Sequence, residues 1–308
     1  MNPASPAASP RPRAGRSYRI QLALMLGPYL VGLFVLTILP ALAGLPLAFT
    51  RYNALERPVW HGLRNFTELA SDDIFGIAVQ NSLVFIAISI PLRIVAALGL
   101  SLLLAGRFRG AGLYRAAVYL PTVVPDIAWA VVWLWVLNPL YGPRNQLLAV
   151  VGIAGPARTV EENSARAAIL LMMGWQIGET FVICLAGLQD VPGELLDQSA
   201  VDGAGPWQTF RSVLLPSMAP VLLIVMFRDT IASLQTNFVP ALIVGRDGGP
   251  NYATTYLPLY IYRNAFDYLR FGYAAAMTWS LIGLTGIVVY LQYRVAVHWR
   301  MGFRDAET

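Results

Sequence analysis

The 308-residue chain is 56% hydrophobic and only 13% charged, and its mean hydropathy of +0.56 places it outside the range of an ordinary water-soluble domain. All 22 basic residues are arginine; without lysine there is no standard P-loop and no Schiff-base chemistry, so any uphill step must draw its energy from a partner chain or an ion gradient. The formal charge of +5 calls for no nucleic acid, since arginines flanking membrane helices give the same balance; a lone Cys184 excludes an internal disulfide, and His61 and His298 are too few for a clustered metal site.

Residues 1–19 are rich in Pro, Ala, Ser and Arg, carry Arg11, Arg13, Arg16 and Arg19 without an acid, and read as a disordered cytoplasmic tail. The apolar run that follows is too long for a signal-peptide core, so it is expected to stay as a first membrane helix over 20–46. Further spans are expected at 81–106, 116–138, 167–188, 214–236 and 273–294, each about the 20 residues needed to cross a bilayer. Pro121 and Pro125 break the hydrogen-bond ladder of the third span and predict a bend there. The aromatic, proline-rich segments at 52–60 and 137–143 suit chain at the headgroup level. The spacing of Tyr252, Tyr256 and Tyr260, then of Tyr262 and Phe266, predicts an interfacial or re-entrant helix ahead of the last span, with a sugar-stacking platform as the alternative. No repeat of fixed period is present, so the chain divides into the tail, a membrane domain over 20–295 and a cytoplasmic C-terminal tail over 296–308. Six spans put both termini on one side; arginine counts differ little between the sides, and the N-terminal cluster of four makes that side cytoplasmic.

The loop between spans four and five breaks the basic pattern of inner loops, with Asp190, Glu194, Asp197 and Asp202 against Arg211 alone. Pro192 and Glu194 suit a helix start, and Gly203 with Gly205 and Pro206 suits its end and the start of the next helix. A helix of about ten residues is marginal in water and needs docking to persist. Residues 197–216, Asp-Gln-Ser-Ala-Val-Asp-Gly-Ala-Gly-Pro-Trp-Gln-Thr-Phe-Arg-Ser-Val-Leu-Leu-Pro, resemble the EAA loop of inner-membrane permeases in the maltose and glycerol-3-phosphate class of ABC importers. Asp202, Gly203, Ala204, Phe210, Leu215 and Pro216 match that pattern, while Asp197-Gln198-Ser199 stands where Glu-Ala-Ala is usual. The similarity extends over roughly 20–300 and takes in Gly62-Leu-Arg-Asn-Phe66, Asn81-Ser82, Arg107-Phe-Arg-Gly-Ala-Gly-Leu-Tyr-Arg115 and Gly248-Gly-Pro250.

The resemblance implies an all-α transmembrane fold, a six-helix ABC importer permease bundle with a cytoplasmic coupling-helix loop. It implies a multi-pass protein of the bacterial inner membrane that carries sugars, polyols or glycerol phosphate and binds no cofactor or metal of its own. The partners it implies are a second permease subunit in a heterodimer, two ATP-binding cassette subunits and an extracytoplasmic solute-binding protein. Glu194, Leu195, Asp197, Ala200, Asp202, Gly203, Ala204, Phe210, Leu215 and Pro216 would then form the ATPase-coupling segment.

Five ionisable residues fall inside the expected spans: Arg93, Asp126, Glu179, Arg228 and Asp229. At about 1.5 Å per residue they lie roughly 13 to 21 Å deep, where charge facing lipid costs about 2.5–3.5 kcal/mol or more. They are expected to face the bundle interior, either paired with one another or lining a solute path together with Gln235 and Asn237; Gln176 and Thr236 add neutral hydrogen-bonding groups. An ion-coupled secondary transporter is the alternative, opposed by the absence of repeats. An intramembrane hydrolase lacks its signatures, since neither Gly-x-Ser-x-Gly nor His-Glu-x-x-His occurs.

Overall fold

The computed structural model describes residues 16–106, 108–138, 140–150, 152, 162–236, 238–243 and 248–304. Among them four helices are long and apolar enough to cross a bilayer, Ile20–Leu47, Asp73–Leu104, Pro206–Ile243 and Phe271–Val297. Two helix pairs pass the same test together but bend at a short break: Ala111–Val123 with Asp126–Val136, by 99°, and Glu162–Trp175 with Gly178–Gln189, by 46°. Counting each pair as one span gives six, in the expected order, and the fold is all-α apart from a two-stranded antiparallel hairpin pairing Thr50–Arg51 with Val59–Trp60. The first helix begins at Arg16 and the last runs on to Arg304.

The sharp break in the third span falls where two prolines stand four apart. Pro125 supplies no amide hydrogen and holds the preceding residue out of helical geometry, and Val124 is accordingly extended. The bend in the fourth span has no proline at the break and was not expected. Its cause is packing: Gly178 lies so close to the third span that a Cβ there would sit 2.3 Å from Thr122 Oγ1 and 2.8 Å from Tyr119 Cα. Only glycine lets the two broken helices approach this closely.

Three apolar clusters stack along the bundle. At one end Leu69, Ala78, Leu257, Tyr260, Tyr273 and Met277 join the start of the second span to the start of the sixth. In the middle Phe85, Ile86, Ile90, Ala168, Ile169 and Met172 pack with Ala130 and Leu137 of the broken third span. At the other end Ala97, Leu98, Phe181, Cys184, Leu185 and Met218 lie against Phe210 and Leu215. The loop at 190–216 therefore belongs to the end opposite the hairpin.

Buried polar side chains fasten the segment between spans five and six over the hairpin end. Asn81 Nδ2 donates to the carbonyls of Tyr252 and Thr255 at 2.8 and 3.1 Å, and Ser82 Oγ accepts from the Leu257 amide at 3.0 Å. Asp72 caps the second span by accepting from the Ile74 and Phe75 amides, and its other oxygen accepts from the Tyr260 and Tyr273 hydroxyls, each at 2.7 Å. The tyrosines do not share one helical face as their spacing suggested. Tyr252 precedes the helix Leu257–Tyr262; Tyr256 and Tyr260 turn inward, while the Tyr262 and Phe266 rings meet in a tilted contact at 5.0 Å with Phe266 exposed.

The first span stands apart from this packing. None of the residues in its most apolar window is buried, and its last turns meet the sixth span and the hairpin.

Candidate functional site

Both helix breaks open onto one cavity of about 200 Å³, and Arg93, Asp126, Glu179, Arg228 and Asp229 all line it. The five ionisable residues singled out in the sequence thus come from four spans to a single place. Gln176 and Thr122 line it as well, on either side of the close approach at Gly178. Gln235 is exposed and not among the lining residues, and Asn237 lies outside the described residues.

The four inner charges are matched. Asp229 is fully buried; its Oδ2 accepts from Thr180 Oγ1 at 2.8 Å and lies 4.0 Å from Arg93 Nε, while its Oδ1 lies 3.5 Å from Arg228 Nε. Arg228 also donates an ion-paired hydrogen bond to Glu179. Arg93 donates from its terminal nitrogen to the Gln176 carbonyl at 3.0 Å, meeting one of the orphan carbonyls at the C-terminus of Glu162–Trp175, where a cation also suits the helix dipole. Asp126 and Glu179 occupy the first turns of the second half-helices, the positive dipole ends. Breaking a span therefore creates charged helix ends inside the bundle, and the side chains at the breaks neutralise them. Thr122 and Thr180 were missed from sequence; Thr122 sits beside the break that Pro121 and Pro125 mark, whereas nothing local marks the break beside Thr180.

The loop at the opposite end forms a compact elbow. Pro192 precedes the helix Gly193–Val201, and Glu194 lies in its first turn. The helix ends in a Schellman motif: Gly203 has φ +77°, its amide donates to the Ala200 carbonyl at 3.1 Å, and the Ala204 amide donates to the Ser199 carbonyl at 3.0 Å. Gly203 is thus required by a left-handed position that a side chain enters only at a cost. The chain reverses through Gly205 into Pro206–Thr209, a single wide turn at Phe210–Leu214, and the long helix Leu215–Thr236. Ser199 Oγ lies 3.2 Å from Thr209 Oγ1, closing the elbow on itself, and the Trp207 and Phe210 rings stack at 5.4 Å.

Of the residues singled out in this loop, Glu194, Leu195, Asp197, Ala200 and Asp202 are exposed, whereas Ala204, Phe210, Leu215 and Pro216 are half-buried against the bundle. Trp207, which was not singled out, is 71% exposed beside Val201 at 86%. The elbow therefore presents an apolar and an acidic surface together, and its inner residues anchor it to the fifth span.

Residues 97–300 match the family described as the inner membrane component of binding-protein-dependent transport systems. The probable ABC transporter permease protein YesP of Bacillus subtilis (strain 168) is 31% identical over 278 residues, covering 89% of both chains. The trehalose/maltose transport system permease protein MalF of Thermococcus litoralis is 31% identical over 274 residues, 86% of this chain and 92% of that one. Among solved structures, a chain of a bacterial ABC transporter involved in the import of the acidic polysaccharide alginate superposes with a TM-score of 0.73 at 20% identity, covering 92% of this chain and 96% of that chain, which is a likeness of fold. With bundle, breaks and elbow in place, and with relatives of this identity along nearly its whole length, the chain belongs to the family of inner membrane components of binding-protein-dependent transport systems.

Proposed function

We propose that this chain is one of two permease subunits of an ATP-driven importer for a sugar or related polyhydroxylated solute. The cavity at the helix breaks is part of the solute path, and the elbow is the contact for a separate ATPase. The observation that carries the reading is the elbow: a short helix, held in shape by its own hydrogen bonds, exposes Leu195, Val201 and Trp207 beside Glu194, Asp197 and Asp202. So short a helix gains little from its own chain, and exposed apolar groups ringed by charge suit a partner's groove.

The remaining parts agree. No nucleotide-binding lysine exists in the chain, so hydrolysis falls to a pair of ATP-binding cassette subunits. Closure of that pair would push the elbow and, through the continuous helix into Leu215–Thr236, the charged residues Arg228 and Asp229 at the cavity. The unburied first span suits packing against a second, non-identical permease, and the family description implies a solute-binding protein outside the membrane. The arginine cluster ahead of the first span supports cytoplasmic termini in a bacterial inner membrane. The trehalose/maltose relative supports a saccharide as the solute.

The test uses the assembled complex. Cys184 is buried, so a cysteine introduced as Asp197→Cys is the accessible thiol. A membrane-impermeant maleimide is expected to label it in inverted vesicles, less so with the ATPase bound, and not in intact spheroplasts; uptake is expected to require ATP. Labelling from the outside, or uptake that survives loss of the ATPase but collapses with the ion gradient, would sink the reading in favour of a secondary transporter.

A further inference from the structure

The cavity carries information about the solute beyond its belonging to the path. Both of its cations are engaged by carboxylates of the same wall, Arg93 by Asp229 and Arg228 by Asp229 and Glu179. Asp126 has no hydrogen-bond or ion-pair partner among the described residues, and it is exposed on the cavity wall. The lining thus holds two cations and three carboxylates, and the unmatched charge is negative.

The helix ends add to the same sign. Half-helix N-termini inside a membrane ordinarily attract the anionic group of a solute. Here the ends that begin at Asp126 and Gly178, on helices of 11 and 12 residues, already carry Asp126 and Glu179 in their first turns. A carboxylate or phosphate arriving at the cavity would meet occupied dipole ends, arginines already paired with carboxylates and one free carboxylate.

Hydrogen-bonding capacity, by contrast, is left over. Gln176, half-buried in the lining, carries an amide that both donates and accepts, and the exposed Asp126 accepts, which is the mixture that hydroxyl groups meet and a simple anion does not. The cavity, about 200 Å³, has room for several waters or for part of a sugar-sized solute.

We infer that this cavity accepts the hydroxyl groups of a solute without net negative charge, a neutral saccharide or polyol or an amino sugar, and that the free carboxylate of Asp126 both accepts hydrogen bonds from that solute and turns anionic solutes away. The inference rests on the proposed transport function, which is tested apart from it by the ATP requirement.

The experiment is made on the full complex of permeases, ATPases and binding protein in proteoliposomes. The binding protein is first titrated with matched probes, glucose, glucosamine, glucuronate, glucose 6-phosphate and their disaccharide counterparts, and those that bind are followed for ATP-dependent uptake. The imported solute is expected to be neutral or cationic. Asp126→Asn is expected to lower uptake at least tenfold while ATP hydrolysis stimulated by the binding protein persists, and Asp126→Glu is expected to recover most of it. ATP-dependent uptake of a uronate or a sugar phosphate would overturn the inference and leave the transport function standing. Equal uptake by wild type and Asp126→Asn would remove Asp126 from the selection, and absence of ATP-dependent uptake for every probe would remove the transport function and this inference together.

Discussion

The elbow and the cavity both concentrate carboxylates, yet they treat them in opposite ways. In the elbow Glu194, Asp197 and Asp202 point away from their own chain, and the internal hydrogen bonds that hold the shape are made by backbone and by Ser199. In the cavity Asp229 and Glu179 are held by arginines and a threonine, so most of the charge is matched within the bundle. The surface proposed to meet another protein keeps its polar groups free of intramolecular partners. A chamber inside a bilayer has to satisfy its charges before any solute arrives, because unpaired charge there is costly.

The largest test of that difference removes one carboxylate from each region. Asp229→Ala removes the carboxylate that Arg93 and Arg228 share and leaves Glu179, paired with Arg228, as the remaining partner, and breaking a buried pair in this way costs about 3–5 kcal/mol. Asp197→Ala, on an exposed helix face, is expected to change stability by less than about 0.5 kcal/mol. Thermal unfolding of the purified complex separates the two; equal melting temperatures would erase the distinction between matched and free carboxylates. Charge removal at Asp229 should thus also lower the amount of folded complex, so uptake has to be compared per folded molecule.

How far the sequence revealed these regions depends on which signals are local. Span number and order, the break between Pro121 and Pro125, and the Gly203 turn are encoded by hydropathy and by residues with fixed backbone preferences. The fourth-span break is not, since it follows from Gly178 meeting Thr122 across two spans. The five midspan charges could be gathered from depth alone, but which arginine meets which carboxylate depends on helix rotation. Gln235 illustrates the limit. It lies six residues beyond Asp229, about 240° around a helix of 3.6 residues per turn, whereas Ala232, three residues on, returns to the cavity face and lines it. Proximity in sequence suggested a lining role that helical phase denies.

A smaller effect sharpens the account of the elbow. Gly203 sits at φ +77° and Gly205, two residues later, at φ −71° and ψ 165°. Substituting alanine at Gly203 forces a side chain into the left-handed region at about 1–2 kcal/mol, while alanine at Gly205 enters ordinary extended backbone and should cost little. The strain is expected to distort the Schellman motif, turn Asp202 and Trp207 relative to each other, and reduce ATPase co-purification for Gly203→Ala but not for Gly205→Ala. Equal recovery from the two variants would mean that the turn at Gly203 does not set the elbow's docking geometry.

The smallest expected effect lies at the hairpin end, where Asp72 offers a third way of holding a carboxylate. Burial pushes its pKa up, but hydrogen bonds from the Tyr273 and Tyr260 hydroxyls and from the Phe75 and Ile74 amides outweigh that and leave it below the usual carboxylate range. A lowered pKa means that the folded chain favours the ionised form, so Asp72 stabilises the fold at pH values above the ordinary carboxylate pKa of about 3.9, and this contribution is lost as the pH falls through the lowered value. Because the group is only half-buried and screened by solvent, the expected advantage of wild type over Asp72→Asn near neutral pH is no more than about 1 kcal/mol. Melting temperatures of the two proteins should differ at pH 7 and converge on the acid side of the carboxylate range. A constant gap over the whole titration would assign the role of Asp72 to its shape as a helix cap and not to its charge.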